Sequence, residues 1–207
     1  MKMDKTLKYA FRITHIDNIP YIERNGLVKA ESPLRDPNYV SIGDAQVIQI
    51  RGQRVFKGYK LSDFIPFYLG PRSPMLYVIQ HGYNGVNRVD AEQIVYCVIR
   101  LDDIINQNVD CVFTDGHALS ALTLYYEKKD LRRIDELVKY DDVYSSQWNL
   151  EEDLDLKRRK EAELLVRVDL APQFTRGYVV YNDNAKQQLV NMGIDAAKIV
   201  VVPGYYF

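Results

Sequence analysis

Cysteine is scarce in this chain: 207 residues carry two, Cys97 and Cys111, each inside an apolar run rich in β-branched residues. That scarcity excludes a disulfide-stapled scaffold and predicts buried free thiols in a reducing, cytoplasmic setting. The three histidines, His15, His81 and His117, have no ligand-like spacing to each other or to the cysteines, so no metal site is expected. Long apolar runs are missing too; nothing approaches the roughly 18 residues of a membrane span, which argues against a membrane partner. The charged opening Met1–Lys8 has no apolar stretch behind it and predicts no secretory leader. No G-x-G-x-x-G follows a strand and there is no P-loop; Gly82 and Gly85 form only an isolated pair. A dinucleotide, if bound, must sit outside a Rossmann fold. Repeats and low-complexity tracts are likewise absent.

What is present suits one domain spanning 1–207 with a sizeable core. The net charge of −1 conceals an uneven distribution. Between Arg51 and Arg88 six basic residues face one acid, Asp63, whereas Asp141 to Asp155 holds six acids and no base. The basic run Lys157-Arg158-Arg159-Lys160 follows immediately. Each run alone reads as a solvated face. The basic ones also suit local phosphate contacts, while the near-neutral total argues against non-specific coating of nucleic acid.

Periodicity predicts strands at Tyr9–His15, Gln93–Leu101, Val109–Thr114, Glu161–Asp169, Gly177–Tyr181 and Lys198–Val202. Helices are expected from Asp17 to Asn25, with Gly26 beyond the C-terminus, and from Ser73-Pro74 to His81 before Gly82. Further helices are expected over Ala118–Lys128, Asp130–Tyr140 and Asn182–Met192, and an exposed acidic loop over Asp141–Asp155. Residues 31–60 lack a clear period, and long irregular stretches of that kind often carry function. Strands and helices mix without a βαβ rhythm, so the fold class is α+β.

The most informative element is Glu161-Ala162-Glu163. On a strand, side chains at i and i+2 share a face roughly 7 Å apart, and two carboxylates that close raise each other's pKa. The bland alternative is a wet edge strand where both acids solvate. Arg12 and Thr14 form a polar row on the first strand, again either a solvent-facing row or a site. His15, His81 and His117 read more simply as local structure than as catalysts. Of 16 tyrosines, Tyr68, Tyr77, Tyr125, Tyr126 and Tyr144 are candidates to stack on bases or a nicotinamide ring, though most serve packing.

Several blocks, in order, resemble the DarT-type DNA ADP-ribosyltransferase toxins. Arg12-Ile-Thr-His-Ile-Asp-Asn18 resembles that family's H-I-T-H-I-D-N opening. Tyr39-Val-Ser-Ile42 followed by Gln49-Ile-Arg51, then Phe67-Tyr-Leu-Gly-Pro-Arg-Ser-Pro-Met-Leu-Tyr77, continue the likeness. Val112-Phe-Thr-Asp-Gly-His117 and Lys157-Arg-Arg-Lys-Glu-Ala-Glu-Leu-Leu-Val166 complete it, so the resemblance covers almost the whole chain. It implies the ADP-ribosyltransferase fold, a split, bent β-core with flanking helices and NAD⁺ as co-substrate in the cleft. It implies a toxin that transfers ADP-ribose to a base, typically thymidine, in single-stranded DNA in a sequence-dependent way. It also implies a macrodomain antitoxin as partner and a role in toxin–antitoxin phage defence.

By the same resemblance Glu163 is catalytic and Arg51 contacts NAD⁺ and assists transfer, with Arg54 the fallback. Arg12, Ile13, Thr14, Tyr21, Val28 and Tyr68 join Arg51 as NAD⁺-binding residues. Residues 34–54 form the NAD-binding element and 116–163 the substrate-recognition loop. His117, Tyr144, Trp148, Lys157, Arg158, Arg159 and Glu161 are expected to touch DNA. Two positions depart from the family: Arg12 stands where relatives have histidine, and Glu161 where many have glutamine. In protein-modifying transferases the latter position helps choose the acceptor. A transferase of the same fold acting on protein or RNA is therefore the first rival reading, and a non-catalytic nucleic-acid-binding module the second.

Overall fold

The computed structural model describes residues 5–207; the first residues of the charged opening, 1–4, lie outside the described residues. Ten strands are interleaved with eight α-helices and short 3-10 turns. In chain order these are β1 (Tyr9–His15), α1 (Ile19–Asn25), α2 (Ala45–Gln53), β2 (Val55–Phe56), β3 (Tyr59–Lys60), β4 (Ile65–Tyr68) and α3 (Pro74–His81). There follow β5 (Ile94–Arg100), α4 (Leu101–Asn106), β6 (Cys111–Thr114), β7 (Tyr125–Glu127), α5 (Ile134–Leu137), α6 (Tyr140–Val143) and α7 (Leu156–Lys160). The chain ends with β8 (Glu163–Val166), β9 (Thr175–Val180), α8 (Asp183–Asn191) and β10 (Ile199–Val201).

Eight strands form one sheet in the order β10-β9-β5-β1-β4-β8-β6-β7, antiparallel except for β10 against β9. Alternation along the strands feeds separate cores. Ala10, Cys97, Leu164 and Val166 enter the largest cluster, Phe11 and Tyr96 a second on the other face, and Leu165 a third with Leu61, Phe64 and Ala118. Glu163 lies on the Leu165 side of β8, as the i, i+2 rule requires.

The sheet is split at its centre. β1 shares seven residue pairs with β5 but a single pair, Phe11 with Tyr68, with β4. Pro66 is one reason: it has no amide to give a ladder. Its carbonyl instead accepts from Arg12 Nη1 at 3.2 Å, across the opening. The α+β expectation and the split core are thus both realised.

Several predicted elements stand: α3 is capped by Ser73, whose hydroxyl accepts from the Leu76 amide at 3.2 Å, and closed by Gly82 in the left-handed region. Gly26, at φ +84°, ends α1, and a Cβ there would lie 2.0 Å from the Leu170 carbonyl oxygen. Asp17 does not cap that helix; His15 caps the preceding 3-10 turn instead. Both cysteines are buried and unbridged, and burial pushes each thiol up to about 12.

Other expectations are corrected. Residues 118–124 turn and then enter β7, where the β-branched and aromatic run Thr123-Leu-Tyr-Tyr126 favours strand over helix. The expected helix over 130–140 is broken into a 3-10 segment and two single-turn helices. The strand begins at Glu163, not Glu161, because Glu161 caps the C-terminus of α7 at φ −92° and ψ 25°, outside the extended region. The two acids therefore do not share a strand face. The Asp141–Asp155 stretch is not wholly solvated, since three of its acids, Asp142, Asp153 and Asp155, neutralise the arginines of α7.

Candidate active site

A cavity of about 390 Å³ opens along the split and is walled by β1, α1, the segment 26–51 and β4, with Glu163 at its inner end. Such a volume falls within the range of small-molecule sites. The segment that forms one wall has little core of its own; α2 buries none of its residues. It is held instead by polar clamps from the sheet side. Asn18, 1 % exposed, donates through Nδ2 to Thr14 Oγ1 and to the Val40 carbonyl, and accepts from the Val40 amide, all at 2.8 Å. Tyr21 donates to the Leu34 carbonyl at 2.9 Å, and Asp169 accepts from the Lys29 amide and the Ser32 hydroxyl. Asp44 then caps α2 by accepting from the Gln46 and Val47 amides at 2.8 and 3.3 Å.

The cap aims α2 so that Arg51, in its last turn, reaches across to Glu163. Arg51 Nη1 donates to Glu163 Oε2 at 2.9 Å and Oε1 at 3.3 Å. Glu163 is 2 % exposed, and its Oε1 also accepts from the Ala118 amide at 2.9 Å. Its own amide donates to Thr114 Oγ1 at 3.0 Å. A carboxylate this buried is tolerable only when its charge is matched and its lone pairs are filled. Arg51 Nη2 is buried with no partner among the described residues. Arg51 itself lines the cavity, so a buried guanidinium donor without a partner stands beside the carboxylate at the cavity wall.

Of the residues expected to bind a cofactor, Arg12, Ile13, Tyr21, Val28, Arg51 and Tyr68 line this cavity together with Glu163. Thr14 does not. Its side chain is fully buried behind the wall, where it accepts from Asn18 and shares a 3.2 Å contact with Tyr39 Oη. It thus supports Tyr39, a lining residue of the 34–54 element to which the sequence assigned no role of its own. Arg54, the alternative to Arg51, is exposed at the end of α2.

A second cavity, about 710 Å³ in volume, lies beyond α3 and is lined by Tyr77, Tyr83, Trp148, Asn149 and Lys157. Tyr77 packs edge-on to Trp148 and to Phe207, with centroids 5.7 and 5.1 Å apart. Aromatic faces beside an exposed ammonium group suit a single nucleic-acid strand.

Glu161 is buried and lines neither cavity; the groups that interact with its charge include Tyr68, Glu163, Lys157 and Lys160. Burial, reinforced by Glu163, pushes its carboxyl up to about 8. Lys160 is 1 % exposed, donates to the Pro71 and Val143 carbonyls, and is brought down to about 8 by burial. His117 sits near Glu163, and burial keeps its imidazole below the ordinary value.

Three residues expected to touch DNA are otherwise engaged. Arg158 pairs with Asp115 and Asp155, and Arg159 with Asp142, Asp153 and Asp155. Guanidinium groups so saturated have few donors left for phosphate. Tyr144 stacks on Tyr140 with centroids 4.2 Å apart and packs edge-on against Phe11, a place in the core. The sequence also missed Asn18, Tyr39 and the Ala118 amide. An aspartate ahead of a helix-forming run is the signal that could have found α2, whereas a single backbone amide leaves no sequence signal.

The family described as DarT, an ssDNA thymidine ADP-ribosyltransferase, matches residues 11–207. A DNA ADP-ribosyl transferase of Escherichia coli O127:H6 is 32 % identical over 191 residues, covering 86 % of this chain and 83 % of the relative. A DNA ADP-ribosyl transferase–glycohydrolase fusion protein of Thermosipho africanus is 28 % identical over 93 % of this chain and 47 % of its own length. In three dimensions the chain is similar to Thermus sp. 2.9 DarT in complex with ADP-ribosylated ssDNA, with a TM-score of 0.82 at 23 % identity over 97 % of both chains. The same Thermus protein in complex with NAD⁺ superposes with a TM-score of 0.78, at 23 % identity over 97 % of this chain and 98 % of that one. Among the described residues no helix is long and apolar enough to cross a membrane, and no cluster of potential metal ligands occurs.

Proposed function

This chain belongs to the DarT family of ssDNA thymidine ADP-ribosyltransferases and is an NAD⁺-dependent DNA ADP-ribosyltransferase, and we propose that Glu163 and Arg51 carry its reaction. The observation that supports this reading most is the buried Glu163 carboxylate at the inner end of the cleft, ligated by Arg51 Nη1 and the Ala118 amide. NAD⁺ supplies the ribose carbon, which becomes electron-poor as its bond to nicotinamide breaks and the electron pair leaves with nicotinamide. Glu163 stabilises the positive charge that builds on the ribose mainly in the transition state. The acceptor nitrogen bonds to that carbon with its own electron pair, and Glu163 takes the proton that the nitrogen gives up. Arg51 holds the carboxylate in place and offers its unfilled Nη2 to a ribose or phosphate oxygen of the dinucleotide. Arg12, Ile13, Tyr21, Val28 and Tyr68 contact NAD⁺, and residues 34–54 form the wall that closes over it, with Thr14 acting through Tyr39.

The acceptor is a thymidine of single-stranded DNA chosen by its neighbours. The strand lies along Tyr77, Tyr83, Trp148 and Lys157, and its target base passes Glu161 and His117 to reach Glu163. Single-stranded substrate is required because the ring nitrogens that pair in a duplex are not accessible there. Residues 116–163 supply Glu163 and, in Trp148 and Lys157, two of the strand contacts. The fused glycohydrolase of the Thermosipho relative supports a separate macrodomain partner that removes the modification, making the pair a toxin and antitoxin. A cytoplasmic setting suits the two free buried thiols.

The test is incubation with labelled NAD⁺ and separate pools of single-stranded DNA, RNA and protein. Wild type labels only DNA, and Glu163→Gln, with its fold intact, loses at least about 100-fold in turnover. Labelling confined to RNA or protein, or full activity of Glu163→Gln, rejects the reading.

A further inference from the structure

We propose that Arg158 is a positioning residue for this reaction: it fixes the 115–124 turn so that the Ala118 amide points at the Glu163 carboxylate. The inference rests on the reading of Glu163 as catalytic. The sequence alone suggests a different role for Arg158, a contact with the phosphates of the acceptor strand.

Four of the five guanidinium N–H donors are already engaged on the protein. Nε and Nη2 donate to the two Asp155 oxygens at 2.7 and 2.9 Å, and Nη1 donates to Asp115 Oδ1 at 2.8 Å and Thr123 Oγ1 at 3.3 Å. The Arg158 carbonyl accepts from the His117 amide at 2.9 Å. One residue thus grips the turn near its start, middle and end. The gripped groups are themselves cross-tied: Asp115 Oδ1 also accepts from the Leu124 amide at 2.9 Å, and Thr123 donates to the His117 carbonyl at 2.8 Å. Contact with the backbone is close. A Cβ at Gly116 would lie 2.5 Å from Arg158 Nη1 and 2.8 Å from its carbonyl oxygen, so the chain passes directly against Arg158.

What the turn delivers is the Ala118 N–H, 2.9 Å from Glu163 Oε1. Arg158 and Glu163 sit on one short stretch of chain, at the end of α7 and the start of β8. The same segment therefore carries the carboxylate and the group that holds its amide partner in register. The neighbouring Lys157 is the exposed cation that lines the aromatic cavity, which leaves strand binding to it and alignment to Arg158.

The experiment compares wild type with Arg158→Gln, Thr123→Val and the double variant. It measures nicotinamide release against NAD⁺ and oligonucleotide, and oligonucleotide binding across a salt series. For Arg158→Gln we expect kcat to fall by about ten- to a hundredfold, as for a small misplacement of a reacting group. KM for NAD⁺ stays within about threefold, and oligonucleotide Kd and its salt slope do not move. Thr123→Val shifts kcat the same way by less, and the double variant is no worse than Arg158→Gln. A phosphate contact would instead weaken binding and reduce the salt slope by about one in Arg158→Gln alone, and that result overturns the proposal. So do additive losses, or wild-type turnover in a folded Arg158→Gln. Should Arg158→Gln show no melting transition, Thr123→Val decides, and wild-type turnover there overturns the proposal. Glu163→Gln run in parallel separates the two readings. Turnover surviving in it rejects the Glu163 assignment. A dead Glu163→Gln beside unaffected Arg158 and Thr123 variants rejects only the positioning role.

Discussion

Replacing Asn18 by alanine should weaken NAD⁺ use without touching the chemical step. Asn18 is 1 % exposed and ties β1 to the cleft wall through three hydrogen bonds of 2.8 Å, two of them to the backbone of Val40. Each such bond contributes about 1 kcal/mol net. Val40 is partly exposed, so its amide and carbonyl regain water in the variant and part of the loss is recovered. Thr14 also keeps its contact with Tyr39. The remaining loss, about 2 kcal/mol, falls on the order of the wall over residues 31–44, which in the proposed reading closes around the dinucleotide. At 1.4 kcal/mol per tenfold this is about a 30-fold rise in KM for NAD⁺, with kcat within about threefold because neither Glu163 nor Arg51 is displaced. Initial rates of nicotinamide release at varied NAD⁺ give both constants, and amide hydrogen exchange over residues 31–44 reports the loosening. Faster exchange there with an unchanged KM would refute the reasoning, since it would show that the clamp orders a segment the dinucleotide does not need.

Two other outcomes are expected. Glu161 titrates near 8 when folded against an ordinary value of 4.5. For a raised carboxyl the stabilising contribution of the neutral form is complete below about pH 4.5 and is lost as pH rises through about 8. Glu161→Gln should therefore flatten the fall of melting temperature across that window and melt above wild type at pH 9; parallel curves for the two proteins would contradict it. Trp148→Ala should weaken oligonucleotide binding by about 1–3 kcal/mol, the worth of one base stack. Its KM for NAD⁺ should be unchanged, and unaltered strand affinity in fluorescence anisotropy would remove Trp148 from the strand path.

Much of the scaffold was legible because it obeys local rules. The alternation from Tyr9 to His15, the Ser73-Pro74 start of α3 and the glycines at 26 and 82 all state their structure in a few adjacent residues. The unread elements depend on partners far along the chain. β4 contains Pro66, which argues against a central strand until the sheet is seen to split beside it. α2 buries nothing, so it has no apolar stripe to betray it. At the site, the blocks that resemble DarT proteins drew attention to Glu163 and Arg51, and the fold places Arg51 Nη1 2.9 Å from Glu163 Oε2. The basic run of α7 misled because charge counted along the chain does not show pairing. Its arginines meet Asp115 from across the fold and three aspartates of the acidic stretch. Glu161 misled in register, since a helix end and not a strand carries it.

The lone Phe11–Tyr68 pair at the middle of the sheet has a mechanical consequence. Two stiff leaves, β10-β9-β5-β1 and β4-β8-β6-β7, are riveted at one rung and bridged by the Arg12 side chain. Spreading them sacrifices almost no ladder bonds, whereas bending either leaf would break several. A product bulkier than either reactant, a base bearing the whole ADP-ribosyl group, can thus be let go by yielding at the rivet while the carboxylate's own leaf keeps its shape.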